Sequence, residues 1–179
     1  MKIRRNKYQK PAIKIKRIKI NFFAPFERNF SSISGMNQET MFLAMWGCLL
    51  ADTKILVDNG KYVKIQELTS GIPIMSYDFS AKRQVKEKVD KLIINRETEG
   101  GYIRVNKLLK LTANHRLWVN ESVWKRADEL NIGDILWGQH GEKITVTKLE
   151  KKEGIFTTYN LRLTGNNHNF FADGILIHE

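Results

Sequence analysis

The chain has 179 residues, of which 42% are apolar, enough to build a core and to exclude disorder throughout. Its net charge of +11 is uneven, since residues 1–47 carry 10 basic and 2 acidic side chains, whereas residues 48–179 carry 20 and 17. No apolar run approaches the ~18 residues of a membrane helix, and the single cysteine excludes an internal disulfide. We therefore expect a soluble protein without a membrane partner, in a reducing compartment such as the cytoplasm.

The first 47 residues are predicted to be a poorly ordered basic segment. Residues 1–20 alternate Lys or Arg with Ile, a pattern typical of an exposed edge strand, and residues 21–47 are rich in Phe and end at Gly47. Neither half is predicted to fold alone. We interpret the segment as a solvated tail, with non-specific binding of nucleic acid by residues 1–20, or binding to a membrane surface, as the alternatives.

From Cys48 onward, short β-type runs alternate with turn signals. Asp58-Asn59-Gly60, between two runs of branched residues, is typical of a hairpin turn. The predicted strands are Lys54–Val57, Lys61–Ile65, 84–94, 102–111, 116–119, 143–149, 155–163 and 168–177. With one-turn helices around 65–69 and 127–131, the pattern predicts an all-β domain.

A weak internal repeat supports this prediction. Residues 64–71 align with residues 126–133 at an offset of 62 residues, and the flanking Tyr62 and Ile74 match Trp124 and Leu136. Each copy is predicted to be a hairpin, a one-turn helix closed by a glycine C-cap, and a strand. The repeat predicts a pseudo-twofold β domain built from duplicated hairpin units.

Three separated stretches hold the candidate chemical groups. They are Gly47-Cys48, the segment from Thr112 to His115, and residues 159–179, which contain Asn160, His168, His178 and Glu179. A lone cysteine in an apolar stretch is usually a buried hydrophobic residue, so a chemical role for Cys48 depends on the other two stretches. The remaining histidine, His140, is interpreted as a structural loop residue.

These stretches resemble the start, the Thr-x-x-His segment and the end of a Hint domain, the fold of inteins, bacterial intein-like domains and hedgehog autoprocessing domains. The motifs are Cys-x-x-x-x-Thr-x-Ile, Thr-x-x-His and His-Asn-Phe-Phe-Ala-Asp-Gly-Ile-Leu-Ile-His. The resemblance covers residues 48–179, which are 132 of the 179 positions. It implies a pseudo-twofold, horseshoe-shaped all-β domain with no room for an endonuclease insert, preceded by the basic segment 1–47.

The residues around Gly47 suit an acyl shift. The Cys48 thiol lies beside the Gly47 carbonyl, so its attack forms a five-membered ring at high effective concentration. The shift from amide to thioester is uphill unless the leaving nitrogen is protonated, and we expect His115, as an imidazole near its usual pKa, to be the general acid. Thr112 is expected to hydrogen-bond the Gly47 carbonyl region and stabilise the oxyanion. A turn histidine and a turn threonine are the ordinary structural alternatives.

The resemblance also implies roles for the two late histidines. His168 corresponds to a histidine that assists the later steps, and His178 corresponds to the penultimate histidine. Cys48, His115, His168 and His178 could in principle form a zinc site, but their spacing resembles no zinc motif. We expect neither a cofactor nor a structural metal.

Two residues depart from the family pattern. Inteins usually end His-Asn, whereas this sequence ends His178-Glu179, and a carboxylate lacks the amide nitrogen that asparagine uses to cyclise. Asn160 stands where inteins commonly have an acidic residue, although an amide can still position groups by hydrogen bonding. Complete splicing is therefore not expected from the chain as it stands, unless the gene continues past Glu179.

We expect a single-turnover self-modification in which Cys48 forms a thioester that water, a small thiol or an amine resolves. The substrate would be the chain's own segment 1–47, cleaved or transferred by a monomer. Two alternatives remain open. One is a catalytically degenerate Hint fold that serves as a structural module, and the other is a protein whose basic segment binds nucleic acid.

Overall fold

The computed structural model describes residues 47–179, so the predictions for residues 1–46 lie outside the described part. Regular structure here is almost entirely β, with one-turn 3-10 helices at Ile65–Glu67 and Ala127–Glu129. No helix within these residues is long and apolar enough to cross a bilayer. The strands are β1 (Leu49–Leu50), β2 (Lys54–Leu56), β3 (Tyr62–Lys64), β4 (Pro73–Asp78), β5 (Arg83–Thr98), β6 (Tyr102–Val105), β7 (Leu109–Leu111), β8 (Arg116–Val119), β9 (Val123–Arg126), β10 (Ile135–Trp137), β11 (Lys143–Thr145), β12 (Leu149–Lys152), β13 (Phe156–Leu163), β14 (Asn169–Ala172) and β15 (Ile175–His178).

The strands form two antiparallel sheets, which confirms the predicted all-β class. One sheet has the order β12-β6-β7-β1-β13-β5-β4, and the other has the order β11-β10-β8-β15-β14-β2-β3, with β9 paired to β8. The short strand β1 lies between β7 and β13 in the first sheet. The residue before β1 is Cys48, so the candidate nucleophile enters the middle of a sheet rather than its edge.

The predicted repeat is present in three dimensions. The two 3-10 helices begin 62 residues apart, and each starts with the same long-range bond. The Ile65 amide donates to the Thr53 carbonyl at 2.9 Å, and the Ala127 amide donates to the His115 carbonyl at 2.8 Å. His115 is therefore the pseudo-twofold counterpart of Thr53, and its backbone is fixed by the second copy of the hairpin unit.

The predicted glycine C-caps are wrong in detail. The C-cap residues are Leu68 and Leu130, both in extended conformation, and Gly71 and Gly133 follow with φ angles of +88° and +96°. The Gly71 amide donates to the Val89 carbonyl in β5, and the Gly133 amide donates to the Val146 carbonyl just after β11, both at 2.8 Å. The glycines thus form the left-handed turn into the next strand, because leucine closes each short helix without needing a positive φ.

Three predicted runs are each divided into two strands. Residues 102–111 break at Asn106, whose φ is +50°, and residues 168–177 break at Asp173, whose φ is +47°. The run 143–149 breaks where the Thr147 amide donates to the Asn106 side-chain oxygen at 2.8 Å. The run 84–94 is longer than expected and extends over Arg83–Thr98. The strands therefore end at polar turn residues, and not where the sequence stops being apolar.

The core consists of two clusters. The larger one consists mainly of aliphatic residues from both sheets, including Leu49, Leu111 and Leu161. The smaller one contains Leu56, Phe171 and Leu176, with partly buried aromatic residues packed against it. Leu111 and Leu49 are paired across β7 and β1, so apolar packing holds the strands that flank the site.

The Asn169 side chain joins β14 to β4 by making hydrogen bonds to backbone groups, as a neighbouring strand would. This fully buried side chain accepts from the Tyr77 amide at 2.8 Å and from the Ser76 hydroxyl at 3.1 Å. Its own amide group donates to the carbonyls of Tyr77 and Asn167 at 3.0 and 2.8 Å. The side chain thereby fixes the residue that follows His168.

Replacing this side chain is expected to destabilise the fold. Asn169→Ala leaves both backbone groups of Tyr77 without their partner, which should lower the free energy of unfolding by about 2–4 kcal/mol. Urea unfolding followed by tryptophan fluorescence measures the loss. Asn166→Ala, at an exposed position in the same loop, is the control and should change stability by less than about 0.5 kcal/mol. Equal losses of unfolding free energy in Asn169→Ala and Asn166→Ala would contradict the stabilising role given to the Asn169 side chain.

Candidate active site

The Gly47–Cys48 peptide is packed against the backbone of His115. Gly47 has a φ of +85°, and a Cβ atom placed on it would lie 2.5 Å from the His115 Cα. Cys48 is buried, and its carbonyl accepts from the Thr112 amide at 2.8 Å. Glycine at position 47 is therefore required both by the left-handed backbone and by the close approach.

Thr112 contacts the nitrogen side of this peptide. The Cys48 amide donates to Thr112 Oγ1 at 2.7 Å, and that hydroxyl donates to Asn114 Oδ1 at 2.8 Å. The sequence predicts this hydroxyl in the region of the Gly47 carbonyl, whereas the structure places it on the nitrogen of the same peptide bond. Because Asn114 takes the hydroxyl proton, the lone pairs of Oγ1 face the nitrogen, where they favour an amine that gains a proton as its bond to carbon breaks.

The Cys48 thiol is protonated at neutral pH in this arrangement. Burial raises its pKa to about 12, while a hydrogen bond from the Thr158 hydroxyl acts in the opposite direction. A protonated thiol is a weak nucleophile, so attack needs a base close to the sulfur.

His115 is fully buried; neither ring nitrogen makes a hydrogen bond of standard geometry within residues 47–179, although the His178 backbone lies close enough to act on the ring. Burial is the main cause that lowers its pKa to about 3, and the neighbouring His178 ring lowers it further, whereas the His178 backbone acts in the opposite direction. His115 is therefore neutral at neutral pH. Our expectation of an imidazole near its usual pKa is wrong for this state, because the ring has no charged partner to offset its desolvation.

Asn160 faces Cys48 across the sheet. The pairs Leu49–Tyr159 and Leu50–Thr158 define a register that, continued by one residue, sets Asn160 opposite Cys48. Asn160 Oδ1 accepts from the Leu161 amide at 2.8 Å, and its Nδ2 is buried without a partner in the described residues. The amide is thus a free donor beside the sulfur-bearing residue.

Unpaired buried polar atoms are concentrated here. Five such side-chain atoms occur in residues 47–179, and three of them belong to His115 and Asn160. An unpaired buried polar atom costs about 1–3 kcal/mol, so a native fold keeps few of them without a functional reason. Their concentration beside the Gly47–Cys48 peptide identifies this region as the candidate site.

The late histidines form a second group with Glu179. The rings of His168 and His178 are stacked, with centroids 6.5 Å apart and planes inclined by 9°. His168 Nδ1 donates to Glu179 Oε2 at 3.1 Å, and His178 Nδ1 donates to the Glu179 carbonyl oxygen at 3.0 Å. Burial raises the pKa of the Glu179 carboxyl group and lowers that of His178.

The residues around the Gly47–Cys48 peptide lie next to those around Glu179. The link is between His115 and His178, because the charge of the His178 ring contributes to the low pKa of His115. All the predicted site residues therefore lie in one continuous region, and His140 lies outside it in an exposed loop. Across residues 47–179, no three His, Cys, Asp or Glu side chains are grouped so that they could hold a metal ion.

The sequence did not single out Asn114, Thr98 or Thr158. Asn114 lies inside the Thr-x-x-His segment, two residues after Thr112, and this spacing could have predicted the hydrogen bond between their side chains. Thr98 and Thr158 carry no such signal, because they approach each other only through the pairing of β5 with β13.

The chain resembles several solved structures. The bacterial intein-like domain from Clostridium thermocellum is 20% identical, with a TM-score of 0.66 over 75% of this chain and 99% of that one. A DnaB intein from Synechocystis sp. PCC 6803 is 24% identical, with a TM-score of 0.63 over 74% and 97% of the two chains. An intein from a hyperthermophile is 20% identical, with a TM-score of 0.62 over 74% and 99%. At these identities the likeness shows the fold.

A family model described as the pretoxin HINT domain matches residues 55–179, which is more than two thirds of the chain. The comparison with curated proteins found no match. The fold and the family both support an autoprocessing domain as the general function. The family match over most of the sequence, joined to the intein-like fold, establishes that this chain belongs to the pretoxin Hint domain family.

Proposed function

We propose that residues 48–179 process the chain at the Gly47–Cys48 peptide through an acyl shift to the Cys48 sulfur. One observation carries the proposal: this peptide is held between Thr112 and His115, with unpaired buried polar atoms beside it. A site of this kind provides positioning and preorganised polar groups, which are the main contributions to such a step.

The low pKa of His115 suggests the order of the proton transfers. His115, with a pKa of about 3, is too weak a base to ionise beforehand a thiol with a pKa of about 12, so it takes the thiol proton only as the sulfur forms its bond to the Gly47 carbonyl carbon. As the carbon–nitrogen bond breaks, the His115 imidazolium returns that proton to the Cys48 nitrogen. Since the folded pKa of His115 is about 3, its imidazolium is a strong acid in this environment. Thr112 accepts from the nitrogen and stabilises the departing amine.

Resolution of the thioester would release segment 1–47 or transfer it. Water, a small thiol or an amine attacks the Gly47 carbonyl, the carbon–sulfur bond breaks, and the sulfur takes the electron pair and then the proton that the nucleophile gives up. His168, His178 and Asn160 would assist these later steps by hydrogen bonding. The domain boundary between residues 47 and 48, the monomeric state, the cytoplasmic location and nucleic-acid binding by residues 1–20 stay predictions.

Two observations favour a different function, a structural module without activity. The thiol pKa of about 12 and an amide at Asn160, where the resemblance implies a carboxylate, both oppose fast attack by sulfur. A site that has lost its activity would keep the fold and leave the 47–48 peptide intact.

Intact-mass analysis of the full-length protein distinguishes the two functions. With a small thiol at mildly alkaline pH, we expect fragments 1–47 and 48–179, whereas Cys48→Ala should stay whole under the same conditions. Thr112→Val should slow the break by about 10-fold or more, because the nitrogen loses its hydrogen-bond acceptor. An intact wild-type chain after prolonged incubation would favour the inactive module.

A further inference from the structure

The Cys48 thiol has neighbours that the proposed acyl shift does not use. The Thr158 hydroxyl hydrogen-bonds the thiol, and Thr158 Oγ1 lies 2.5 Å from Thr98 Oγ1. The exposed fractions of Cys48, Thr158 and Thr98 are 2%, 1% and 3%. Two hydroxyl groups therefore lead to the sulfur through a dry interior, where hydrogen bonds are stronger than in water.

Strand pairing explains why these groups meet. Leu50 is paired with Thr158, and side chains two residues apart share a face, so Thr158 is the diagonal neighbour of Cys48. The register between β13 and β5 shifts between Phe156 and Thr158, at the level of Thr98. A bulge of this kind redirects side chains, and this one lies where the two hydroxyls make contact.

The direction of the hydrogen bonds follows from the chemistry of sulfur. A thiolate only accepts hydrogen bonds, so Thr158 must donate to Sγ whenever the sulfur is charged. The Thr158 oxygen can then accept from Thr98, which is the other hydroxyl in contact with it. A hydroxyl that accepts one bond becomes a better donor in the next, so the order Thr98 to Thr158 to Cys48 strengthens the bond to the thiolate.

We propose that Thr98 and Thr158 form a two-hydroxyl relay that holds the Cys48 sulfur and stabilises its negative charge. The inference rests on the proposed function and names the groups that serve its sulfur. During attack, the thiol proton goes to the base and Thr158 donates to the charged sulfur as the bond to carbon forms. During resolution, the carbon–sulfur bond breaks, the electron pair stays on sulfur, and Thr158 donates again. Neither threonine loses its proton.

The roles of the two residues differ. Thr158 contacts the reacting sulfur and is a catalytic residue, whereas Thr98 acts through Thr158 and is a positioning residue. Val keeps the shape of threonine without the hydroxyl, and Ser keeps the hydroxyl without the methyl group. The relay therefore predicts that Thr158→Ser retains activity and Thr158→Val loses it, the reverse of what a packing role would give.

The test compares Thr158→Val, Thr158→Ser and Thr98→Val with the wild type in thiol-induced cleavage of the full-length chain. We expect Thr158→Val to be about 10- to 100-fold slower, the effect of one bond to a charged group, and Thr158→Ser to stay within about threefold. Thr98→Val should be slowed less, and the double valine variant should be no slower than Thr158→Val, because the two residues act in series. Thr157→Val, at the next position of β13, is the control and should cleave at the wild-type rate.

Raman spectroscopy of the S–H stretch provides a readout that does not depend on cleavage. The chain has one cysteine, so it gives one S–H band. Thr158→Val should move this band and Thr158→Ser should not. A shifted band in a chain that never cleaves would support the relay and reject the proposed function. An unchanged band in Thr158→Val, or wild-type cleavage by that variant, would overturn the relay.

Discussion

Gly47→Ala is expected to slow cleavage at the 47–48 peptide by at least about 100-fold while leaving the fold intact. The added Cβ would lie 2.5 Å from the His115 Cα and 2.6 Å from its nitrogen, closer than side chains approach a backbone. The peptide must then move away from His115 and Thr112, and a displacement of about 1 Å at a reacting centre can reduce a rate 100-fold. Intact-mass kinetics measure the rate, and tryptophan fluorescence on thermal unfolding checks the fold.

The matched control is Gly60→Ala. Gly60 has a similar φ of +78°, but no atom lies within 4 Å of the position its Cβ would take. This variant carries the backbone strain of a left-handed alanine without the clash, so it should lose some stability and keep the wild-type cleavage rate. A wild-type rate in Gly47→Ala would show that the contact with His115 has no part in the chemistry.

The second large effect is a loss of stability in acid caused by His115. Its pKa is about 6.5 in the unfolded chain and about 3 when folded, so the unfolded state takes up the proton first as the pH falls. The stabilisation is complete above pH 6.5 and decreases by about 1.4 kcal/mol per pH unit towards pH 3. His178 contributes with the same sign, since its pKa is lowered as well.

Urea unfolding at several pH values between 4 and 7, in a Cys48→Ala background that cannot cleave, isolates this contribution. His115→Gln cannot take up the proton, so its free energy of unfolding should fall less steeply with acid, by about 1.4 kcal/mol per pH unit. Asn166→Ala, which changes an exposed residue without a titratable group, should keep the parent slope. If the free energy of unfolding depended on pH equally in His115→Gln and its parent, the His115 ring would not be buried in its neutral form.

The turn and strand signals predicted an all-β domain, and the resemblance to Hint domains supplied its particular fold. The hairpin turn at Asp58-Asn59-Gly60, the short helices and the following glycines recur at one offset, and the structure keeps both the order and the offset. Strand ends were harder to predict, because breaks such as those at Asn106 and Asp173 depend on polar turn residues inside apolar runs. The sequence pattern therefore predicts which elements form better than where they end.

The electrostatics of the site could not be predicted in the same way. The low pKa of His115 and the high pKa of Cys48 arise from burial by strands far away in sequence, which a motif does not encode. The contact of Thr98 with Thr158 spans 60 residues and depends on an irregularity in strand register. The motif identified Cys48, Thr112 and His115, but their protonation states and partners follow from the tertiary structure.

The most direct test of the central claim is the chemical form of Gly47 after cleavage by neutral hydroxylamine. A thioester between Gly47 and Cys48 reacts with this nucleophile, so mass spectrometry should find fragment 1–47 ending in a hydroxamate, and Cys48→Ser should yield far less of it. Fragment 48–179 should carry a free amine at Cys48, since the acyl group has left its nitrogen. A chain that remains intact, or a break at any other residue, would contradict the account.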